Sequence, residues 1–150
     1  MKLAEALIMR VDAQKNIAQL RERLLMNAKV QDGDTPTEDP EMLLQELESA
    51  TKFLIGVIRS INKTNVVTIA GDKTIAELLA ERDARIRQVN IMRDFLKEAS
   101  NKVDRYSAKE IATVSSVNVA EKQKELDALS KEIRQMDTRI QELNWLTELV

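Results

Sequence analysis

The chain has 150 residues, enough for one domain, and its 23 basic and 25 acidic residues leave a formal net charge of −2, which favours neither nucleic acid nor an anionic membrane. The absence of cysteine excludes disulfides, thiolate nucleophiles and thiolate metal ligands, and the absence of histidine excludes Ser-His and Cys-His catalysis. Few glycines, prolines and aromatics beside 32% charged residues are typical of long helices.

The first residues, MKLAEALIMRVDAQK, do not have the pattern of a secretory signal peptide. Glu5, Arg10 and Asp12 interrupt the apolar stretch that such a signal needs. Runs of large apolar side chains, such as residues 53–55, do not exceed three residues and are far shorter than the roughly 18 residues of a membrane span. We therefore expect a cytoplasmic protein with no membrane partner.

The first predicted element is a helix from residue 2 to about residue 29. Its apolar residues recur at helical spacing, and they are Leu3, Leu7, Val11, Ile17, Leu20, Leu24 and Ala28. The segment 31–40, QDGDTPTEDP, ends the helix because it contains a glycine and two prolines. We expect this segment to be an acidic turn.

A calcium loop is the alternative interpretation of the acidic turn. Asp32 and Asp34 have the spacing of its first two ligands, but Pro36 and Leu43 stand where a third oxygen ligand and a bidentate glutamate are needed. A solvated turn without a metal is the better interpretation.

The second predicted helix begins with Asp39 as N-cap and Pro40 at its first position, and runs to about residue 62. Its apolar stripe comprises Leu43, Leu47, Ala50, Leu54, Val57 and Ile61. Further apolar side chains on its other sides predict a middle that is buried all round, and these are Phe53, Ile55 and Ile58. Gly56 indicates either a neighbouring helix that passes close or a glycine without a role.

The next stretch, NVVTIAGDKTIAE at 65–77, has the order of parts of a phosphate-binding loop. Such a loop needs glycines, because its backbone N–H groups must approach the phosphate. With Lys73 and Thr74 in the Lys-Ser/Thr positions, Asp72 and Val67 occupy the two glycine positions. Nucleotide binding is therefore disfavoured.

A strand, a turn and a helix start explain the same stretch better. Residues 66–69 are strand-prone, Gly71 supplies the turn, and Thr74 with Glu77 forms a capping box. The third predicted helix then runs over about 75–106. Its stripe comprises Ile75, Leu79, Ile86, Val89, Leu96 and Val103.

A second extended segment, 111–117, is the natural partner for the strand at 66–69, since a lone strand is not stable. The two connections, 65–73 and 108–118, lie at opposite ends of an up-and-down bundle, so either a helix bends or the strands meet across subunits. Asn118 with Glu121 predicts the start of the last helix. Its stripe comprises Leu126, Leu129, Ile133, Met136, Ile140 and Leu143.

The C-terminal sequence NWLTELV spreads apolar side chains over much of the helix circumference. Trp145 either covers the core of the monomer or belongs to an interface between subunits. The candidate interface residues are Val66, Val67, Ile69, Val114, Val117, Trp145 and Leu149.

Arg10 and Arg82 lie in phase with the apolar stripes, and a buried arginine needs an acidic partner. The acids that could provide one are Asp83, Asp104 and Asp137. A buried pair of this kind fixes helix register, or it holds an anionic ligand in a site formed by Arg82, Asp83, Arg105 and Tyr106.

The third helix gives no support to nucleic-acid binding. Its basic residues alternate with acids along a sequence that lacks aromatic platforms, which is typical of a solvated, salt-bridged face.

Over nearly its full length the chain resembles a family of uncharacterised small bacterial helical proteins, some of which carry the label septicolysin. The matching segments are MKLAEAL, QLRERLLMNAKVQDGD, EDP, INKTN, ERD, DRYSAKEI and DTRIQELNW. The resemblance implies a helical fold but no catalytic residues, and the label implies a secreted, membrane-active toxin.

The sequence as a whole predicts a mainly α, elongated antiparallel bundle or coiled coil of about four helices, formed by one domain over 1–150, with a small β element around 66–69 and 111–117. We expect a non-enzymatic scaffold or interaction protein that forms homo-oligomers and uses no cofactor. The alternatives are a ligand- or anion-binding protein or enzyme, its small-molecule ligand unknown, and a membrane-active toxin.

Overall fold

The computed structural model describes residues 1–101 and 111–150. These residues form four helices and one small sheet, in the order α1 (Leu3–Met26), α2 (Pro40–Val67), β1 (Ile69–Ala70), β2 (Lys73–Thr74), α3 (Ile75–Ser100) and α4 (Val119–Leu146). The prediction of a mainly α protein with about four helices is confirmed. Within the described residues, no helix is long and apolar enough to cross a membrane.

The predicted starts of α2 and α4 are confirmed by their capping hydrogen bonds. Asp39 Oδ1 accepts a hydrogen bond from the backbone N–H of Glu41 at 3.0 Å, and Pro40 is the first helical residue. Asn118 Oδ1 accepts one from the backbone N–H of Glu121 at 3.1 Å. Each cap satisfies a backbone donor that the helix itself leaves free, a contribution of about 1 kcal/mol.

The β element is smaller and more local than predicted. Residues 69–70 pair antiparallel with 73–74, and Gly71 makes the turn at φ +78°. Val66 and Val67 are the last residues of α2, and 111–117 contains no strand, so the predicted pairing of 66–69 with 111–117 is wrong. A short hairpin closes a minimal loop, whereas the distant pairing needs a long one.

The structure divides into two compact units, of which unit 1 comprises residues 1–76 and 141–150. In it, α1 and α2 form an antiparallel hairpin, since Arg23 near the end of α1 contacts Glu38, just before α2, and Glu46, near the start of α2. Ala6, Ala13 and Leu20 of α1 are buried and recur every seven residues. This spacing is typical of helices packed side by side at a small angle.

One expectation for α2 is wrong, and one of the two alternatives for Gly56 is excluded among the described residues. Phe53 and Ile55 are each 50% exposed, so the middle of the helix is not buried all round. A Cβ added to Gly56 would meet no described atom within 4 Å, so no described helix passes close to it. The stripe at Leu43 and Ile61 carries the buried contacts instead, because one face suffices to pack a two-helix hairpin.

The two chain ends lie together in unit 1. Leu3 N–H donates to Thr147 O at 2.9 Å, and Leu149 N–H donates to Met1 O at 2.8 Å. Val150 N–H donates to the hydroxyl of Thr64 on α2 at 3.0 Å, and Thr64 is fully buried. Together these hydrogen bonds hold residues 147–150 against the hairpin.

Unit 2 comprises residues 77–140 and has a separate core. Val89 and Leu96 of α3 pack with Leu126 and Ile133 of α4. Partly buried apolar residues surround these four, and they are Met92, Val119 and Leu129. The predicted stripes of the third and fourth helices are therefore confirmed at these positions, while Val103 and the predicted end of the third helix near residue 106 lie outside the described residues.

Candidate functional site

A long apolar groove runs along the hairpin of unit 1. Its wider part has a cavity volume of about 710 Å³ and is lined by Met9, Asp12, Ala13, Asn16, Met42, Gln45, Glu46, Ser49, Ala50 and Phe53. Its narrower part, of about 410 Å³, is lined by Met1, Ala6, Met9, Lys52, Phe53, Gly56, Val57, Ser60 and Leu149. Because Met9 and Phe53 line both parts, we treat them as one feature, the α1–α2 groove.

The groove is lined by small residues, by one aromatic side chain, Phe53, and by three flexible methionines, Met1, Met9 and Met42. Among the described lining residues, the wider part contains the charged side chains Asp12 and Glu46, and the narrower part contains Lys52. Met42 is 61% exposed and Phe53 is 50% exposed. Methionine adapts to irregular partners, so the groove suits a large apolar surface better than a small polar substrate.

A cluster of polar contacts fixes the turn that joins α1 to α2. Arg23 Nη2 donates to Glu38 Oε1 at 2.5 Å, and Arg23 Nε donates to both oxygens of the same carboxylate. Asn27, which is buried, accepts a hydrogen bond from the backbone N–H of Glu38 at 3.0 Å. The Arg23 guanidinium holds the pKa of Glu38 below its ordinary value. The acidic turn is therefore latched to α1 at Glu38, which is half-buried, while most of its other residues are exposed, as predicted for a solvated turn.

Unit 1 also exposes an apolar surface near the joined chain ends, which we call the end patch. Its members are Val66, Val67, Ile69, Trp145, Leu146 and Val150, and each is more than half exposed. The hydrogen bond between Val150 and Thr64 ties the C-terminal residues to the end of α2. Of the sequence-predicted interface residues, Val66, Val67, Ile69 and Trp145 belong to this patch.

The other predicted interface residues have different surroundings. Leu149 is half-buried and lines the narrower part of the groove. Val114 is 79% exposed and, with the end of α3, lines a cavity of about 470 Å³ in unit 2. Val117 is half-buried. Val114 and Val117 belong to unit 2, whereas the end patch belongs to unit 1.

The predicted polar site around Arg82 is an ion-pair cluster in unit 2. Arg82 Nη1 lies 3.1 Å from Asp137 Oδ1, and Arg82 Nη2 lies 3.1 Å from Asp83 Oδ1. Two of the three candidate acids therefore contact this arginine. Arg105 and Tyr106, as well as Asp104, lie outside the described residues.

Arg82 already has acidic partners on both α3 and α4. Its guanidinium already faces two carboxylates, which neutralise it and repel an anionic ligand. Among residues 1–101 and 111–150, no group of three or more acids could hold a metal ion.

Sequence patterns alone did not indicate the groove or the latch. The sequence predicts that Phe53 is a core residue, because an apolar side chain off the main stripe has the same sequence pattern whether it is buried or lines a groove. Arg23 and Glu38 lie on opposite sides of a turn, and a pair of opposite charges near a helix end is a signal too common to stand out.

Two comparisons place the chain among known proteins. The model of a family of unknown function, DUF6847, matches residues 10–149. The chain is also similar to a functionally unknown conserved protein from Corynebacterium diphtheriae, known from a crystal structure, at 43% identity and a TM-score of 0.89 over 100% of this chain and 99% of the other. No curated protein matches the chain.

Proposed function

The chain belongs to this family of unknown function, DUF6847, and we propose that it acts as a non-enzymatic scaffold that assembles with copies of itself in the cytoplasm. The end patch is the observation that carries the proposal. Soluble monomers seldom expose a contiguous apolar patch of more than a few hundred Å² without a binding role. The six apolar side chains of the patch, one of them a tryptophan, are each more than half exposed.

The energetics of the end patch favour association. Full burial of a Val, Ile or Leu side chain contributes about 1.5–3 kcal/mol. Because the six side chains of the patch are 52–71% exposed, their burial contributes about 5–11 kcal/mol in all, which is comparable to an association cost of about 4–15 kcal/mol. Tryptophan is also among the residues that most often dominate interface energetics.

Ionisable groups in the described residues do not suggest a catalytic centre. Shifts of pKa are found at Arg23, Glu38 and Glu148, and each has an ion pair as its cause. Glu148 contacts Lys2 and the amino terminus, which hold the pKa of its carboxyl below the ordinary value. These groups stabilise the fold of unit 1 and do not converge on a cleft, which supports a binding role over catalysis.

The test is a matched pair of substitutions. Ile69 in the end patch is 71% exposed, and Ile91 on α3 of unit 2 is 70% exposed, so Ile69→Lys and Ile91→Lys introduce the same charge at equally exposed positions. We expect the wild-type chain to associate at about 10 µM, and Ile69→Lys to raise the dissociation constant at least about tenfold while Ile91→Lys leaves it unchanged. Sedimentation velocity over a concentration series measures both effects.

A wild-type chain that stays monomeric at about 100 µM would refute the proposal. Equal effects of the two lysines would show that any added charge weakens association and that the end patch is not the interface. The septicolysin label would be supported instead if the purified protein released dye from liposomes.

A further inference from the structure

We propose that the α1–α2 groove is closed by the same groove of a second copy, packed antiparallel about a two-fold axis at Phe53, so that two hairpins form a four-helix bundle. The inference rests on the proposed self-assembly. It defines a second interface, separate from the end patch, in which the partner is the same groove of a second copy. A two-fold interface uses the same surface on both subunits, so each contact occurs twice.

The charges of α2 are arranged for antiparallel pairing. All of its acids precede all of its bases, in the order Glu41, Glu46, Glu48, Lys52, Arg59 and Lys63. Two parallel copies of this helix would place like charges side by side, which costs binding energy and suppresses that arrangement. Two antiparallel copies place the acidic half of one helix against the basic half of the other.

The position of Phe53 fixes the axis. Phe53 lines both parts of the groove, so it lies at the middle of the groove. Glu46 precedes it by seven residues and Arg59 follows it by six. At a rise of 1.5 Å per residue these distances are roughly 10 Å and 9 Å. With the axis at Phe53, Glu46 of each copy therefore comes level with Arg59 of the other.

The groove provides both the projections and the recesses that such a bundle needs. Met42 and Phe53 project from α2, while Ala13, Ala50 and Gly56 leave recesses in the wall. At Gly56 an added Cβ would meet no described atom within 4 Å, which leaves room for a side chain of the second copy. Side chains of one helix that insert between side chains of the next are the usual packing of four-helix bundles.

The groove is also large enough. From Met42 to Ser60 it follows α2 for roughly 27 Å at the standard helical rise. A strip of this length and about 20 Å wide covers roughly 540 Å² on each copy, so two copies together bury about 1,100 Å², just above the roughly 1,000 Å² that a biological interface should exceed.

A charge exchange tests the pairing and its direction. We expect Glu46→Lys and Arg59→Glu each to raise the dissociation constant of the groove dimer about tenfold, and the double variant to return to within about threefold of the wild type. Both Glu46→Lys and the double variant lose the 3.6 Å contact between Glu46 and Arg23 within the chain. If the dissociation constant returns toward the wild-type value in the double variant, the cause is therefore the contact between residues 46 and 59 of different copies.

Cross-linking tests the position of the axis. The chain has no cysteine, so a single introduced thiol gives an unambiguous signal. Lys52→Cys places this thiol in the groove beside the axis, and Lys131→Cys, exposed on α4 of unit 2, is the control. We expect a short bifunctional thiol reagent to link Lys52→Cys into dimers and to leave Lys131→Cys monomeric. The same result in an Ile69→Lys background shows that the link does not depend on the end patch.

The outcomes separate this inference from the proposed function. If the wild-type chain associates but Lys52→Cys gives no dimer, or the double charge variant stays as weak as the single ones, the groove pairing is overturned and the end patch remains as the interface. An occupant of other chemistry, such as a basic helix of another protein, gives this same negative result. If the wild-type chain is monomeric throughout, the proposed function itself fails.

Discussion

Replacing Gly56 by alanine should stabilise the isolated chain. Gly56 lies in the interior of α2, its backbone does not have a positive φ, and an added Cβ would meet no described atom within 4 Å. The methyl group therefore brings no clash, and the gain is the difference in helix propensity, about 1 kcal/mol. Part of it arises because alanine restricts the unfolded chain. For a chain of this size the melting temperature should rise by about 2–4 °C.

Urea unfolding monitored by circular dichroism measures the change. Protein at about 0.5 µM, below the association proposed above, keeps self-association out of the free energy. Ala84→Gly, at an exposed interior position of α3, is the control and should cost about 1 kcal/mol. The reasoning would be refuted if Gly56→Ala lost stability, or if it did not change while Ala84→Gly lost stability as expected. Either result would show that a neighbouring group packs against Gly56.

The same site links stability to assembly. Gly56→Leu keeps most of the propensity gain, since leucine is nearly as good a helix former as alanine, but it fills a recess of the α1–α2 groove. Higher stability at low concentration together with weaker association is therefore the expected combination.

Three further substitutions test other contacts. Thr64→Val keeps the side-chain volume but leaves the N–H of Val150 without its acceptor, and it should lower the free energy of unfolding by about 1–3 kcal/mol, with Thr64→Ser as the milder control. Glu38→Gln should lower the melting temperature at neutral pH. Arg23 holds the pKa of Glu38 below its ordinary value, so the difference in melting temperature between the two proteins should be largest above the pKa of Glu38 in the unfolded chain. It should disappear as the pH falls through the lower pKa of Glu38 in the folded chain. Thermal unfolding at a series of pH values measures this difference. Leu126→Ala should cost about 2–5 kcal/mol by opening a cavity in the core of unit 2, measured by urea unfolding.

Helix starts were the most predictable feature of the fold. The side chains of Asp39 and Asn118 bond to backbone groups two or three residues away, so the information is local and visible in the sequence. The stripe of α4 was equally clear, because polar residues separate its apolar positions along the whole helix.

Features that depend on distant residues were not predictable. Val66 and Val67 have strand propensity, but they continue a long helix whose neighbouring residue Thr64 is fully buried and bonded to the C-terminal segment. Tertiary contacts of this kind outweigh local preference. Exposure of Phe53 likewise follows from which faces of α1 and α2 meet, and periodicity alone does not distinguish a core stripe from the wall of a groove.

Sedimentation equilibrium of the wild-type chain tests self-assembly most directly. The chain has a mass of 17.1 kDa, and we predict a weight-average mass that rises with concentration and approaches or exceeds twice this value by about 100 µM. A mass of 17.1 kDa at every concentration up to that limit would contradict the account.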